Sequence, residues 1–260
     1  EYNGKKTEPA ARPGYIHIIR LTGLKPGAAI SYKAIANDER NNEVTLAGKP
    51  ITPKKIDKAV YIDANTPTPV KLDKGGATYV LKGDLVAKGT ALSVVAQGVT
   101  IDLNGHTITY NNEPGGSDAE QKEFGAFAAQ GQQGIRCAYG TRGTVKIYNG
   151  TIKQGAGNGG YGYAPIQARC EEIAGVSLIY HGTQVSGIDG EAKNVHHNVI
   201  TDLGNELTNR HQGVQCIGVG GGNQIHRNLI TRARQRGINA GSNTRIFRNE
   251  IYVDSVATNS

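Results

Sequence analysis

The hydrophobic pattern of this chain comes in short pieces. From about residue 78 onward, brief apolar runs with a period of two are separated by turns rich in Gly and Asn. Tyr79-Val80-Leu81, Ala91–Val95 and Val99–Leu103 are the first of these runs. No stretch sustains the 3.6-residue apolar period of an amphipathic helix, so the pattern predicts strands throughout.

Two kinds of segment then alternate. One reads aliphatic, polar, small: Ile135-Arg136-Cys137, Ile166-Gln167-Ala168, Val185-Ser186-Gly187, Val214-Gln215-Cys216 and Ile238-Asn239-Ala240. The other reads aliphatic, two residues, Asn, one residue, aliphatic. It runs through Val195–Ile200, Ile225–Ile230 and Ile246–Ile251, with a looser copy at Ile147–Ile152. Equivalent segments recur roughly 20–30 residues apart, the range of stacked-coil solenoids. A single coil cannot bury its own aliphatic residues. Stacking at about 4.8 Å pairs coil backbone with coil backbone and closes the core. The expected interior file is Ile135, Ile166, Val185, Val214 and Ile238. Asn198, Asn228 and Asn249 are expected to form an amide ladder at one bend. In this register Cys137 and Cys216 share the small inward column, about three coils or on the order of 14 Å apart, beyond disulfide reach. Cys170 is not assigned.

The segment Val99-Thr100-Ile101-Asp102-Leu103-Asn104-Gly105-His106-Thr107-Ile108 resembles the opening coil of bacterial pectin lyase-like β-helix proteins, a resemblance that covers roughly residues 78–260. It implies an all-β fold, a right-handed parallel β-helix, with a polysaccharide groove beside the aliphatic-polar-small strands. Residues 1–60 read differently. Leu21-Thr22-Gly23-Leu24-Lys25-Pro26-Gly27 makes a turn between the strand-like runs Ile16–Leu21 and Ile30–Ala36. It resembles the late strands of a fibronectin type III module, although Ile30 stands where that family usually has Tyr. The expected organisation is a partial β-sandwich-like segment and linker over 1–60, then the β-helix over 61–260. The final repeat strand lacks a capping element, so the solenoid is expected to continue past Ser260 or to associate end to end.

Composition sharpens the choice of partner. The net charge of +7 favours anionic ligands. No Lys/Arg block is interleaved with aromatics, which disfavours nucleic acid and leaves acidic polysaccharide. No apolar run is long enough to cross a bilayer, and the three Cys make no metal-binding CxxC spacing. These features, with the resemblance, point to a secreted or cell-surface protein.

Candidate chemistry gathers on the loops and on one strand face. Arg136, Gln167, Ser186, Gln215 and Asn239 form the expected outward, sugar-binding face, and Tyr161 and Tyr163 in a Gly-rich loop offer rings for stacking. Tyr180, His181, Arg210, His211, Arg234 and Arg236 fall at matching positions along one coil edge. That set suits β-elimination on a uronate chain: Arg234 or Arg236 holds the carboxylate, and His211, or His181 with Tyr180, moves the protons. Hydrolysis would use a carboxyl pair, Asp189 with Asp202 or Asp202 with Glu206. No cofactor is indicated. Calcium is left open, since Asp189, Glu191, Asp202 and Glu206 are scattered. His196, His197 and His226 are read as scaffold, because the aligned positions of later coils hold Arg227, Phe247 and Arg248. Alternatives to a lyase are a glycan-binding module, a glycoside hydrolase, and a non-catalytic adhesin or fibre.

Overall fold

The computed structural model describes residues 7, 14–21, 24–25, 27–37, 40, 42–53, 56, 58–113, 132–137, 144–157, 164–181, 186–204, 215–234 and 236–253, with only the backbone at 168 and 215. The chain divides into two units, residues 1–57 and 58–260.

In the first unit Lys33–Asn37 pairs antiparallel with Glu43–Ala47, and an Ile30–Ile51 bridge extends the pair. The strand expected at Ile16–Leu21 does not form, and residues 16–21 run irregularly. A strand needs a neighbour for its N–H and C=O groups, and the partner reached by the shorter loop costs less entropy. The alternation in Glu43-Val44-Thr45-Leu46-Ala47 supplies that partner.

The second unit is a right-handed parallel β-helix with three sheets. Sheet A stacks Val60–Ile62, Thr78–Leu81, Thr100–Asp102, residues 146–148, 172–174 and 194–196, Gln224–His226 and Arg245–Phe247. Sheet B stacks Leu85–Val86, Thr107–Tyr110, residues 151–154 and 177–180, Val199–Asp202, Leu229–Ala233 and Glu250–Val253. Sheet C stacks Val70–Leu72, Leu92–Val94, Ile135–Cys137 and residues 166–168, 188–190, 217–219 and 238–240. All pairings within these sheets are parallel, and no helix occurs among the described residues.

Each sheet sends one vertical file into the core. Ile101, Ile147, Ile173, Val195 and Ile225 fill it from sheet A, and Ile108, Ile152, Leu178, Ile200 and Ile230 from sheet B. Leu92, Ile135, Ile166, Ile188 and Ile217 complete it from sheet C, and all of these are fully buried. Each side chain contributes roughly 1.5–3 kcal/mol by leaving water, and β-branched residues suit the pleated surface.

The sheet C file corrects the expected register in two coils. Ile188 and Ile217, three residues after Val185 and Val214, take the interior positions between Ile166 and Ile238. Both stretches offer two aliphatic residues three apart, and the path to the next bend decides between them. Eleven positions separate Ile238 from Asn249 and Ile217 from Asn228, and ten separate Ile188 from Asn198. Counting from Val185 and Val214 breaks that constancy. The outward file therefore contains Asp189 and Gly218 in place of Ser186 and Gln215. Cys216 leaves the small column as well. It sits one residue before Ile217, buried, within 3.5 Å of the Tyr180 hydroxyl, and burial pushes its thiol up to about 12. All three cysteines are free.

The A–B bend is the most regular feature. Asn149, His197, Arg227 and Arg248 adopt φ between 53° and 59° there, and Gly175 a φ of 65°. The next residue begins the return, and in the later coils it is Asn198, Asn228 and Asn249. Asn198 Nδ2 donates to Asn228 Oδ1 (3.0 Å) and Ile173 O (3.0 Å). Asn228 Nδ2 donates to Asn249 Oδ1 (2.9 Å) and Val195 O (2.9 Å). Each Oδ1 also accepts the backbone N–H of the ladder position one coil earlier. The ladder thus pairs buried peptide groups that would otherwise be orphaned at a tight turn.

Candidate functional site

Sheet C turns a polar file outward: Lys71, Ser93, Arg136, Gln167, Asp189, Gly218 and Asn239 in register. Two residues further along the strands, on the same face, Arg169 lies beside Glu191, 3.6 Å apart. Asp189 is half-buried, and its carboxyl makes no hydrogen bond or ion pair among the described residues. Burial holds its carboxyl above the ordinary aspartate value. Asp189 and Glu191 thus share a face in different surroundings, one desolvated and one beside a guanidinium.

A cleft of about 330 Å³ opens next to this face, lined by Cys170, Glu191, Ala192, Lys193, Gly220, Gly221, Gly222 and Asn223. Its polar rim is held by two cross-coil pairs, Arg169–Glu191 and Lys193–Glu171, the latter at 3.1 Å. The floor is glycine. A methyl group at Gly221 would press on the Ser242 carbonyl of the next coil, so only Gly lets the chain pass this closely. The glycines also leave the space above Glu191 without competing side chains.

The predicted coil-edge cluster divides. Tyr180 is fully buried in sheet B, with its hydroxyl on Cys216, and burial raises it well above the ordinary phenol value. Arg234 is also buried. Its Nε donates to Asp202 Oδ2 at 2.7 Å, with both side chains at 1–2% exposure. Burial outweighs the Arg234 attraction and leaves the Asp202 carboxyl raised. Gly204 makes room for this pair, because a Cβ there would overlap the guanidinium. Tyr180 and Arg234 therefore belong to the interior, and Asp202 is unavailable as half of a hydrolytic pair. From sequence these residues read as loop positions at a coil edge, and only the coil geometry shows them turned inward.

His181 and Arg236 are exposed at the B–C edge. His181 is oriented by its ring Nε2, 2.7 Å from Gly155 O, and by its backbone N–H, which donates to Gln154 Oε1 at 3.0 Å. Arg236 opens the last described sheet C strand, opposite Gln215. Arg136 and Gln167 lie half-exposed on the outward face and Asn239 exposed. Tyr161, Tyr163, Arg210, His211 and Glu206 lie outside the described residues. Among the described residues no group of three or more His, Cys, Asp or Glu is arranged to hold a metal ion.

Asp189 and the Gly218–Gly222 run were the parts of this face that strand patterning missed. The constant distance to the Asn bend is the signal that finds them. No protein-family model, no curated protein and no solved structure matches the chain.

Proposed function

We propose that this chain is a secreted or cell-surface β-helix lyase that binds an acidic, uronate-containing polysaccharide along the outward face of sheet C and cuts it by β-elimination. The observation that carries the reading is Asp189: a desolvated carboxyl in the outward file, in line with Gln167 and Arg136 and next to a glycine-floored cleft. The net charge of +7 favours a polyanion. Arg136 and Asn239 in the file and Arg236 at the B–C edge hold the chain, together with Arg210, Tyr161 and Tyr163 of the loop sequences. A cation beside the uronate carboxylate acidifies the neighbouring C–H, and His211 or His181 takes that proton. The electron pair forms the new C=C bond as the C–O bond to the leaving sugar breaks. Asp189, held up in pKa, gives its proton to that oxygen.

One observation favours a second reading. Asp189 and Glu191 place two carboxyl groups on the same face, and hydrolysis requires a carboxyl pair flanking the bond. Incubation with a panel of acidic polysaccharides separates the two. Elimination yields an unsaturated uronate that absorbs in the ultraviolet, whereas hydrolysis yields reducing ends without it. Neither product from any acidic glycan would remove the enzymatic proposal and leave the binding module or the rigid adhesin.

A further inference from the structure

Several basic side chains of the later coils meet an opposite charge one coil away. Arg169 pairs with Glu191, Lys193 with Glu171, His196 with Glu172, and Arg234 with Asp202. The bend between sheets A and B breaks that pattern. His196, His226 and Phe247 are in register on successive coils, so the residues that follow them, His197, Arg227 and Arg248, occupy one bend column. The His197 N–H donates to the Arg227 carbonyl at 3.1 Å and ties the first two levels together. Coils stack at about 4.8 Å, so an imidazole and two guanidinium side chains leave the backbone one above another. All three are exposed. The side chains of Arg227 and Arg248 make no hydrogen bond or ion pair among the described residues.

The bend itself does not call for arginine. Earlier coils place Asn149 and Gly175 there, residue types that take a left-handed φ at least cost. Arg227 and Arg248 adopt φ of 53° and 54°. Like charges at adjacent levels repel, and carboxylates on the flanking strands are committed elsewhere. Glu172 accepts from His196 and from the Tyr148 hydroxyl, and Glu250 from the Tyr252 hydroxyl. The uncompensated charge is felt nearby. Burial first, then His196 and Arg227, hold the His197 and His226 rings below the usual imidazole value. Arg245, exposed on the last sheet A strand, adds a third guanidinium 5.9 Å over the Phe247 ring.

We propose that this ridge, Arg227 and Arg248 with Arg245 beside them, is a second binding surface for the acidic polysaccharide, on an edge that sheet C does not border. The class of partner rests on the glycan reading above. A uronate chain carries one carboxylate on each sugar, so it presents a line of charges to a line of cations, and a guanidinium takes a carboxylate through two N–H groups. A single-stranded nucleic acid fits less well, because it binds through open aromatic faces. Here the ring faces are turned on one another, His226 on His196 with centroids 5.0 Å apart and Phe247 on His226 at 4.8 Å. The ridge holds one stretch of the polymer while sheet C works on another.

Asn already occupies this bend at Asn149, so Arg227→Asn and Arg248→Asn spare the fold. The test is affinity electrophoresis of the full chain through gels containing polygalacturonate, dextran or polyuridylate, with mobility referred to a gel without polymer. The expected result is retardation by polygalacturonate, weakened about 10-fold in Arg227→Asn/Arg248→Asn with an unchanged circular dichroism spectrum. Lys74→Gln/Lys88→Gln, which removes the same charge from exposed turns of the early coils, leaves the retardation at the wild-type level. Product formation from an oligogalacturonate too short to reach the ridge also stays at the wild-type rate in the Arg227→Asn/Arg248→Asn chain. Absence of product from any acidic glycan, together with ridge-dependent retardation, removes the lyase reading and keeps the ridge. Equal retardation of wild type and Arg227→Asn/Arg248→Asn, an equal loss in Lys74→Gln/Lys88→Gln, or stronger ridge-dependent retardation by polyuridylate would overturn the proposal.

Discussion

Asp202 and Asp189 lie thirteen residues apart on one coil and have opposite fates. Asp202 points into the coil, at 1% side-chain exposure, against an Arg234 that is just as buried. Asp189 points out of sheet C, partly desolvated, with no partner among the described residues. One carboxylate is locked by a partner that its burial requires. The other bears a desolvation penalty that nothing nearby relieves. A buried pair is part of the scaffold, because breaking it leaves a charge stranded. An unrelieved carboxyl on an accessible face is a cost that packing alone does not explain, and such sites are where chemistry is found.

The largest expected effect breaks the interior side. Arg234→Ala strands Asp202 and should cost about 3–5 kcal/mol in chemical denaturation. Asp202→Asn combined with Arg234→Met should recover much of that loss. If Arg234→Ala unfolds at the wild-type midpoint, the pair is not holding the coil. Next comes the ladder. Asn228→Ala removes a buried side chain that bridges three coils and leaves peptide groups unpaired, for about 2–3 kcal/mol.

Asp189→Asn should move stability in the other direction. Its native pKa lies above the unfolded value, so the native state holds the proton more tightly. The penalty is absent below the unfolded carboxyl value of about 3.9 and grows as pH rises through the native value. The variant should therefore melt above wild type at neutral pH, and the gain should vanish in acid. The smallest effect is expected at the exposed edge. Arg236→Ala should change stability by less than about 0.5 kcal/mol while weakening retention on an acidic glycan resin. The reverse pattern, lost stability with unchanged retention, would make Arg236 part of the scaffold.

The same contrast explains what was legible in the sequence. The Asn bends at 198, 228 and 249 and the sheet A and B files could be read directly, because each coil repeats them at fixed spacing. The sheet C register was ambiguous where Val185 and Ile188, or Val214 and Ile217, offered equivalent triplets. Choosing the earlier member hid Asp189 behind Ser186. Tyr180 and Arg234 looked available because they fall on segments that read as loops just before the next sheet C strand. The repeat pattern does not show that Asp202 turns inward on the adjacent coil to pair with Arg234.

The most direct measurement compares wild type with Asp189→Asn on an acidic polysaccharide, recording ultraviolet absorbance of unsaturated product and the thermal midpoint on the same samples. The expected outcome is a higher midpoint at neutral pH together with loss of product formation. Product formation at the wild-type rate, with the midpoint unchanged or lowered, would contradict the assignment of sheet C as the site of chemistry.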